Sequence, residues 1–433
     1  MKWFFVGQPK ENCDKILALR LKRDKIMRDF KEQLKILLSG TEEVLPPDEF
    51  RFKLKRSIEK NKPLVVKYGV DPTSPDLHIG HAIPLRKLRQ FQELGHKVIL
   101  LIGDFTARIG DPSQKSVTRP QLSGKEVRLN AKTYTKQAFK ILDEKSTIID
   151  HNSRWFGKMN FEEVLKLSAN FTIARLLERD DFYKRYQENI PIGLHEFFYP
   201  VMQGYDSVML KADVELGGTD QKFNMLTGRN LQKTYGQEPQ AIITLPILEG
   251  TDGVQKMSKS LGNHVGVTDS PKDMFGKIMS IPDEIMIKYF RLATSLSEKE
   301  IEIIEKGLKD GSLHPAKIKR CLAEEIVSQY HGKKVAEDAK EEFDIIFKEK
   351  SLPSDIPEAV LLPELFKDNR IWIVKLLTHV GLAETNGEAR RLIKQGGVKL
   401  NNEIIKSAEI DVEIKNGDIL QVGKRRFVKL VLN

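Results

Sequence analysis

The fifteen residues from Lys67 to His81, K-Y-G-V-D-P-T-S-P-D-L-H-I-G-H, decide how the rest of the chain is read. Leu64 to Val70 is short, continuous and β-branched, the pattern of a strand buried in a parallel sheet. Asp71-Pro72-Thr73-Ser74-Pro75-Asp76 stops that strand, because two prolines fix φ and remove donors. Apolar residues then recur at helical spacing (Leu85, Leu88, Phe91, Leu94) until Gly95. His78 and His81 therefore fall at a strand-to-helix junction, at the carboxyl end of a strand, where open α/β sheets hold ligands. Pro84 is tolerated in a first turn, so the helix is expected to begin within a residue or two of His81. Amides at such a start point at an anion, and the two imidazoles flank it. Gly80, between them, removes a side chain where a flat ring could approach the backbone. A bare H-x-x-H is more often polar surface, and zinc would need further ligands at a spacing not found here.

The chain has 433 residues, 40% hydrophobic and 30% charged, which suggests two to four domains with ample core. Met1 to Gly7 is too short to be the apolar centre of a signal peptide, and no run approaches a membrane span. Two cysteines, Cys13 and Cys321, make no disulfide framework and fit a reducing, cytoplasmic setting. The net charge of +10 sits at the ends. Residues 1–62 hold 16 Lys+Arg against 10 Asp+Glu, a net of +6, and residues 371–433 hold 11 against 7, a net of +4. The 308 residues between them balance at 44 against 44. Basic ends around a neutral body suit a polyanion gripped by appendages, though solvated basic faces would look the same.

Residues 14–38 read as one helix and Pro46-Pro47-Asp48 starts a second that runs to about Lys60, the makings of an N-terminal helical extension over 1–62. Strands are expected at Lys97–Ile102, Thr147–Ile149, Ala212–Leu216 and Ile242–Leu248, alternating with helices. That alternation means an α/β fold with a doubly wound parallel sheet over 63–270. From 271 to 350 the pattern is helical and charged, a separate α-helical domain. Pro353, Pro357 and Pro363 mark 351–370 as a linker. Residues 371–433 read as a small α+β domain, with helices at Ile371–Val380 and Gly387–Gln395 and four short strands after them.

The junction resembles the HIGH signature of class I aminoacyl-tRNA synthetases, and its partner Lys256-Met257-Ser258-Lys259-Ser260 stands complete 175 positions after His81. The chain is similar to the bacterial tyrosyl-tRNA synthetases, with most of the match between Val65 and Val265. It carries G-D-F-T-A-R-I-G-D-P-S from Gly103, Y-P-V-M-Q-G-Y-D from Tyr199 and G-G-T-D-Q from Gly217. R-R-L-I-K-Q-G-G-V-K-L-N, from Arg390, is similar to the S4-like RNA-binding domain of such enzymes. The resemblance implies a Rossmann-type catalytic fold, and a homodimer that joins tyrosine to the 3′ end of tRNA(Tyr) at the expense of ATP. It also implies roles. Asp206 accepts the tyrosine phenol; Asp111, Tyr199 and Gln203 hold its ammonium, and Gln221 completes that pocket. ATP lies along Asp71, His78, Gly80 and His81, its phosphates at Thr73, His78, Lys256 and Lys259, its ribose at Asp220. Lys115 and Arg119 meet pyrophosphate or the acceptor end, Arg390, Arg391 and Lys394 meet tRNA, and Mg²⁺ arrives with ATP. Tyr199, Gln203 and Asp206 are helical neighbours and share a face. The chain departs from many relatives at Lys67, where they carry a tyrosine that also touches the phenol. Lysine there is expected to donate to the phenol oxygen or to swing away. Two rivals are a tryptophanyl enzyme, for which a phenol acceptor would be pointless, and an RNA-binding or splicing factor, which would be free to lose the motif histidines and lysines.

Overall fold

The computed structural model describes residues 29–73, 76–112, 123–348, 356–366, 370–401, 403–423 and 426–432. The chain divides into two compact units, Met1–Phe343 and Asp344–Asn433.

The first unit is built on β2 (Val65–Val70), β3 (Lys97–Ile102), β4 (Thr147–His151), β5 (Val214–Gly218) and β6 (Ala241–Leu245), parallel throughout in the order β6-β5-β2-β3-β4. Val98 to Ile102 are all buried, which is why their sequence reads as an unbroken apolar run rather than an alternation. From β2 the chain moves outward through β3 and β4, then returns to the other side of β2 for β5 and β6. The strand order thus reverses between β2 and β5, and a crevice opens at their carboxyl ends.

Two helices, α1 (Phe30–Leu38) and α2 (Pro47–Glu59), precede the sheet. The expectation of helices alone before residue 62 missed β1 (Glu43–Leu45), which pairs antiparallel with β6 through Val44 and Ile243. Three residues are too few to display an alternation. Residues 1–28 of the expected extension lie outside the described residues.

The helix after the junction, α3 (Ile79–Glu93), starts at Ile79 with His78 as its N-cap, so Pro84 sits inside the helix and not in its first turn. Its missing donor leaves one helical bond unmade. Leu85, Leu88 and Phe91 face the core. The buried Lys87 ammonium bonds the carbonyls of Ser39 at 2.6 Å and Leu37 at 3.2 Å, placing a cation on the negative end of α1.

Later helices flank the sheet: α4 (Gly124–Ala138), α5 (Phe161–Ser168), α6 (Asp180–Gln187), α7 (Phe198–Leu210) and α8 (Lys222–Thr234). Five more follow the sheet: α9 (Pro271–Met279), α10 (Met286–Ala293), α11 (Glu298–Lys309), α12 (Pro315–His331) and α13 (Lys333–Lys348). They were expected as a separate domain over 271–350. Instead Phe275, Ile278, Tyr289, Phe290, Leu322 and Ile326 share one continuous core with Val66, Leu100 and Leu88, so the helices as far as Phe343 belong to the first unit.

The second unit has its own core, including Ile373, Leu376, Leu377, Ile393, Leu420 and Leu430. Helices α14 (Ile373–His379) and α15 (Asn386–Lys394) accompany a five-stranded sheet, order β10-β9-β12-β13-β7, and a pair β11-β8. The strands are β7 (Glu358–Leu361), β8 (Arg370–Trp372), β9 (Val398–Leu400), β10 (Glu403–Ile404), β11 (Asp411–Glu413), β12 (Ile419–Val422) and β13 (Arg426–Leu432). Residues 351–370, expected as linker, contain β7, which pairs parallel with β13 through Ala359 and Leu430. The prolines that suggest a linker flank this edge strand, where a missing donor costs least.

Candidate active site

Every residue assigned above to ATP or tyrosine lines one cavity of about 890 Å³ at the carboxyl ends of β2 and β5. The sheet supplies Asp71 after β2 and Asp220 and Gln221 after β5, and α7 supplies Tyr199, Gln203 and Asp206 from one face. Lys115 and Arg119 lie outside the described residues. Arg390, Arg391 and Lys394 sit on α15 of the second unit.

At the phosphate end, the His78 and His81 rings stack with centroids 3.6 Å apart. Burial, reinforced by the charge of His81, pushes the His78 imidazole down to about 3, so it is neutral at physiological pH. A side chain on Gly80 would meet the His78 ring at 3.0 Å, so glycine here leaves room for the imidazole. The junction is stitched to the segment after the lysine motif: Ile79 N–H donates to Val265 O at 2.9 Å and Val267 N–H to Leu77 O at 3.0 Å.

The lysine loop is itself braced. Asn263 accepts from Ser258 N–H at 2.8 Å and donates to the Asp252 carboxylate at 2.6 Å and the Lys256 carbonyl at 3.2 Å. Gly250 is required beside it, since a Cβ there would fall 2.2 Å from the Asn263 amide carbon. Lys259 Nζ reaches across to Asp76 at 2.6 Å, and this pair holds the Asp76 carboxyl below the usual range.

The other end of the cavity is a hydrogen-bonded chain of polar groups. Asp71 accepts from Tyr199 Oη at 3.0 Å and from Thr106 Oγ1 at 2.7 Å. Gly103 makes this possible, because a Cβ would lie 2.0 Å from the Asp71 carboxylate. Asn152 Nδ2 donates to Thr106 Oγ1 at 3.0 Å and more weakly to Asp206 Oδ2 at 3.4 Å. Trp155 Nε1 donates to Asp206 Oδ1 at 2.9 Å. Asp206 is 4% exposed, and burial pushes its carboxyl up to about 7 against the pull of Lys67, Trp155 and Asn152. Asp111 is shared by Arg179 at 3.2 Å and Gln221 at 2.7 Å. Burial, then the charge of Asp111, raises the Asp220 carboxyl.

Lys67 does not line the cavity: it swings away from the phenol site, into the interior rather than to solvent. It is 1% exposed and lies beneath the floor, 3.1 Å from Glu215 Oε1. Sequence reasoning missed Trp155, Asn152, Arg179, Glu215 and Asn263. Asn152 and Trp155 had a usable signal, an amide and a rare tryptophan just past the carboxyl end of β4, on the same sheet edge as the motifs. Arg179 and Glu215 had none, since each acts through partners far away in sequence. Among the described residues, no three His, Cys, Asp or Glu side chains are grouped to hold a metal ion.

Comparison with known proteins gives the same picture. The family of class I tRNA synthetases (W and Y) matches residues 59–348, and the S4 domain matches residues 371–417. The chain is 53% identical to the tyrosine–tRNA ligase of Moorella thermoacetica over 406 residues, 94% of this chain and 97% of that protein. It is 52% identical to that of Carboxydothermus hydrogenoformans over 404 residues, 93% of this chain and 98% of that protein. Among solved structures it resembles a C-terminally truncated mitochondrial tyrosyl-tRNA synthetase of Coccidioides posadasii, at 25% identity and a TM-score of 0.57, over 77% of this chain and 95% of that one. It shares a fold with the Archaeoglobus fulgidus tyrosyl-tRNA synthetase solved with L-tyrosine, at 24% identity and a TM-score of 0.58, over 72% of this chain and all of that one.

Proposed function

The chain belongs to the class I tRNA synthetases of the tryptophan and tyrosine type, on their bacterial tyrosyl branch, and from that premise we propose a role for each part of its site. The enzyme is a tyrosine–tRNA ligase. Tyrosine and ATP give tyrosyl-adenylate and pyrophosphate, and the tyrosyl group then passes to the 3′-terminal adenosine of tRNA.

In the first step a carboxylate oxygen of tyrosine attacks the α-phosphorus of ATP and the bond to pyrophosphate breaks. The nucleophile is already ionised, so no acid or base is needed; the protein contributes position and charge. Asp206 accepts the phenol hydroxyl, and Asp111, Tyr199, Gln203 and Gln221 surround the ammonium. Asp71, held by Tyr199 and Thr106, is assigned to ATP where its nucleoside meets the tyrosine end of the cavity. His78, as a neutral donor, and Thr73 meet the β- and γ-phosphates. Lys256 and Lys259 neutralise the charge that grows on pyrophosphate, Asp220 takes the ribose hydroxyls, and Gly80 and His81 leave room for the nucleoside. Mg²⁺ enters with ATP, whose phosphates supply its first ligands. In the second step the terminal ribose hydroxyl attacks the tyrosyl carbonyl and AMP leaves; Arg390, Arg391 and Lys394, with Lys115 and Arg119, are assigned to tRNA.

One observation carries the choice of tyrosine: a buried carboxylate, Asp206, closes the end of the cavity remote from the lysine loop. Unmade hydrogen bonds to such a group are what reject an analogue lacking the hydroxyl. Tyrosine-dependent pyrophosphate exchange tests the assignment. Exchange driven by tryptophan instead would replace tyrosine as substrate, and no exchange with either would return the chain to the RNA-binding reading.

A homodimer in the cytoplasm completes the proposal. Phe161, Leu165, Tyr183, Tyr186 and Leu194, all between residues 161 and 194, are large apolar side chains left exposed, as an association surface requires. No described helix is long and apolar enough to cross a membrane.

A further inference from the structure

The floor of the tyrosine pocket holds charges that the roles above do not use. Lys67 on β2 and Glu215 on β5 are register partners, both almost fully buried. Lys67, Gly69 and Asp71 share one strand parity, and Lys67 lies under α7. Its ammonium contacts Glu215 Oε1 at 3.1 Å and donates to the backbone carbonyl of Gln203 at 3.2 Å. Glu215 in turn accepts from Gln203 Nε2 at 3.2 Å, from Ser207 Oγ at 3.1 Å and from Gln240 Nε2. The backbone and the side chain of Gln203 are therefore fixed by one buried ion pair, and Asp206 follows three residues later on the same helix.

We propose that Lys67 is a positioning residue for tyrosine selection: from beneath the pocket it anchors the backbone and, through Glu215, the side chain of Gln203, and sets a positive charge under the helix that carries Asp206, the acceptor of the phenol hydroxyl. The inference rests on the phenol role assigned to Asp206. A protonated Asp206 would offer a donor where the phenol also offers one, and tyrosine binding would weaken. Two charged groups act on Asp206, Lys67 from β2, which favours the anion, and Glu215 from β5, which opposes it. Trp155 and Asn152 face it from the segment after β4 as neutral donors. Glu215 is therefore the counter-charge that lets a lysine be buried, and Lys67 is the charge that Asp206 feels more strongly.

The two members of the pair make predictions of opposite sign. In tyrosine-dependent pyrophosphate exchange between about pH 6 and 8.5, the KM for tyrosine falls as pH rises through the Asp206 inflection. Lys67→Met should move that inflection up by about one pH unit and raise KM near neutrality by roughly fivefold. KM should recover at the alkaline end, and kcat at saturating tyrosine should stay within about threefold. Lys67→Arg should restore the wild-type inflection. Glu215→Gln, which keeps the cation and removes the opposing charge, should move the inflection down, and it tests the idea even if Lys67→Met fails to fold. A merely structural ion pair would raise KM at every pH and move neither inflection. Unmoved inflections, or shifts of the same sign in both variants, overturn the proposal. The phenol reading fails separately: it falls if Asp206→Asn leaves tyrosine-to-phenylalanine selectivity intact.

Discussion

Asp206 shows how one side chain is set by residues the sequence does not place near it. Replacing it by Asn keeps an acceptor for Trp155 but removes the charge, and a hydrogen bond to a charged group contributes about 1.5–3 kcal/mol. Selectivity for tyrosine over phenylalanine in pyrophosphate exchange should then fall by roughly ten- to a hundredfold. Stability should respond as well. Burial raises this carboxyl to about 7, so its contribution to stability is present at low pH and is lost as pH rises through that value. The melting temperature of Asp206→Asn should therefore decline less between pH 6 and pH 8 than that of the wild type; parallel declines would mean that Asp206 is not buried as an acid. That Asp206, Tyr199 and Gln203 share one helical face was legible from their spacing, while their roles came from the family resemblance. The support from Glu215 was not, because its partners Lys67 and Gln203 meet it only once the sheet and the helix above it are folded.

At the scale of elements, β2 and β3 were legible almost to the residue, while β4, β5 and β6 were recognised as strands with ends misplaced by two or three residues. Lys97–Ile102 is the clearest case, a fully buried strand whose apolar run has no competing reading. β1 and β7 were hidden for opposite reasons, one too short for a pattern and the other flanked by prolines. The motif loops were legible as chemistry and not as shape. Nothing in K-M-S-K-S announces that Asn263 closes the loop, yet three of its bonds span residues 252–258. Asn263→Ala should lower kcat for exchange by about tenfold or more while tyrosine affinity, read by equilibrium binding, stays within about twofold. Lys259→Ala should act in the same direction and more strongly, since its contact strengthens only as charge builds on the leaving group. Equal losses in tyrosine binding would contradict both expectations.

The described residues form two compact units where the sequence suggested three folded bodies. The helices from Pro271 to Phe343 have no core of their own, because their apolar faces close over the same interior as the sheet. The second unit does have one. Ending the chain near residue 350 should therefore leave tyrosine-dependent exchange within a few-fold of normal. Charging of tRNA should drop sharply, and the salt dependence of tRNA binding should become shallower as phosphate contacts are lost. Ending it near residue 270 should abolish soluble expression. If the shorter piece folds and exchanges pyrophosphate, the common core is not what holds the sheet.

The bond between Lys259 and Asp76 puts a small tax on the nucleotide. A phosphate that takes Lys259 must evict a carboxylate, and a pyrophosphate that departs is replaced by one. Both partners are more than a third exposed, so the pair is worth only about 0.5 kcal/mol, a factor of about two in occupancy. That is too little to block ATP and enough to act as a return spring, giving the loop a place to rest between turnovers. Turnover in such an arrangement is shaped by what the loop goes back to as well as by what it grips. Asp76→Asn should thus tighten pyrophosphate binding slightly while slowing its release.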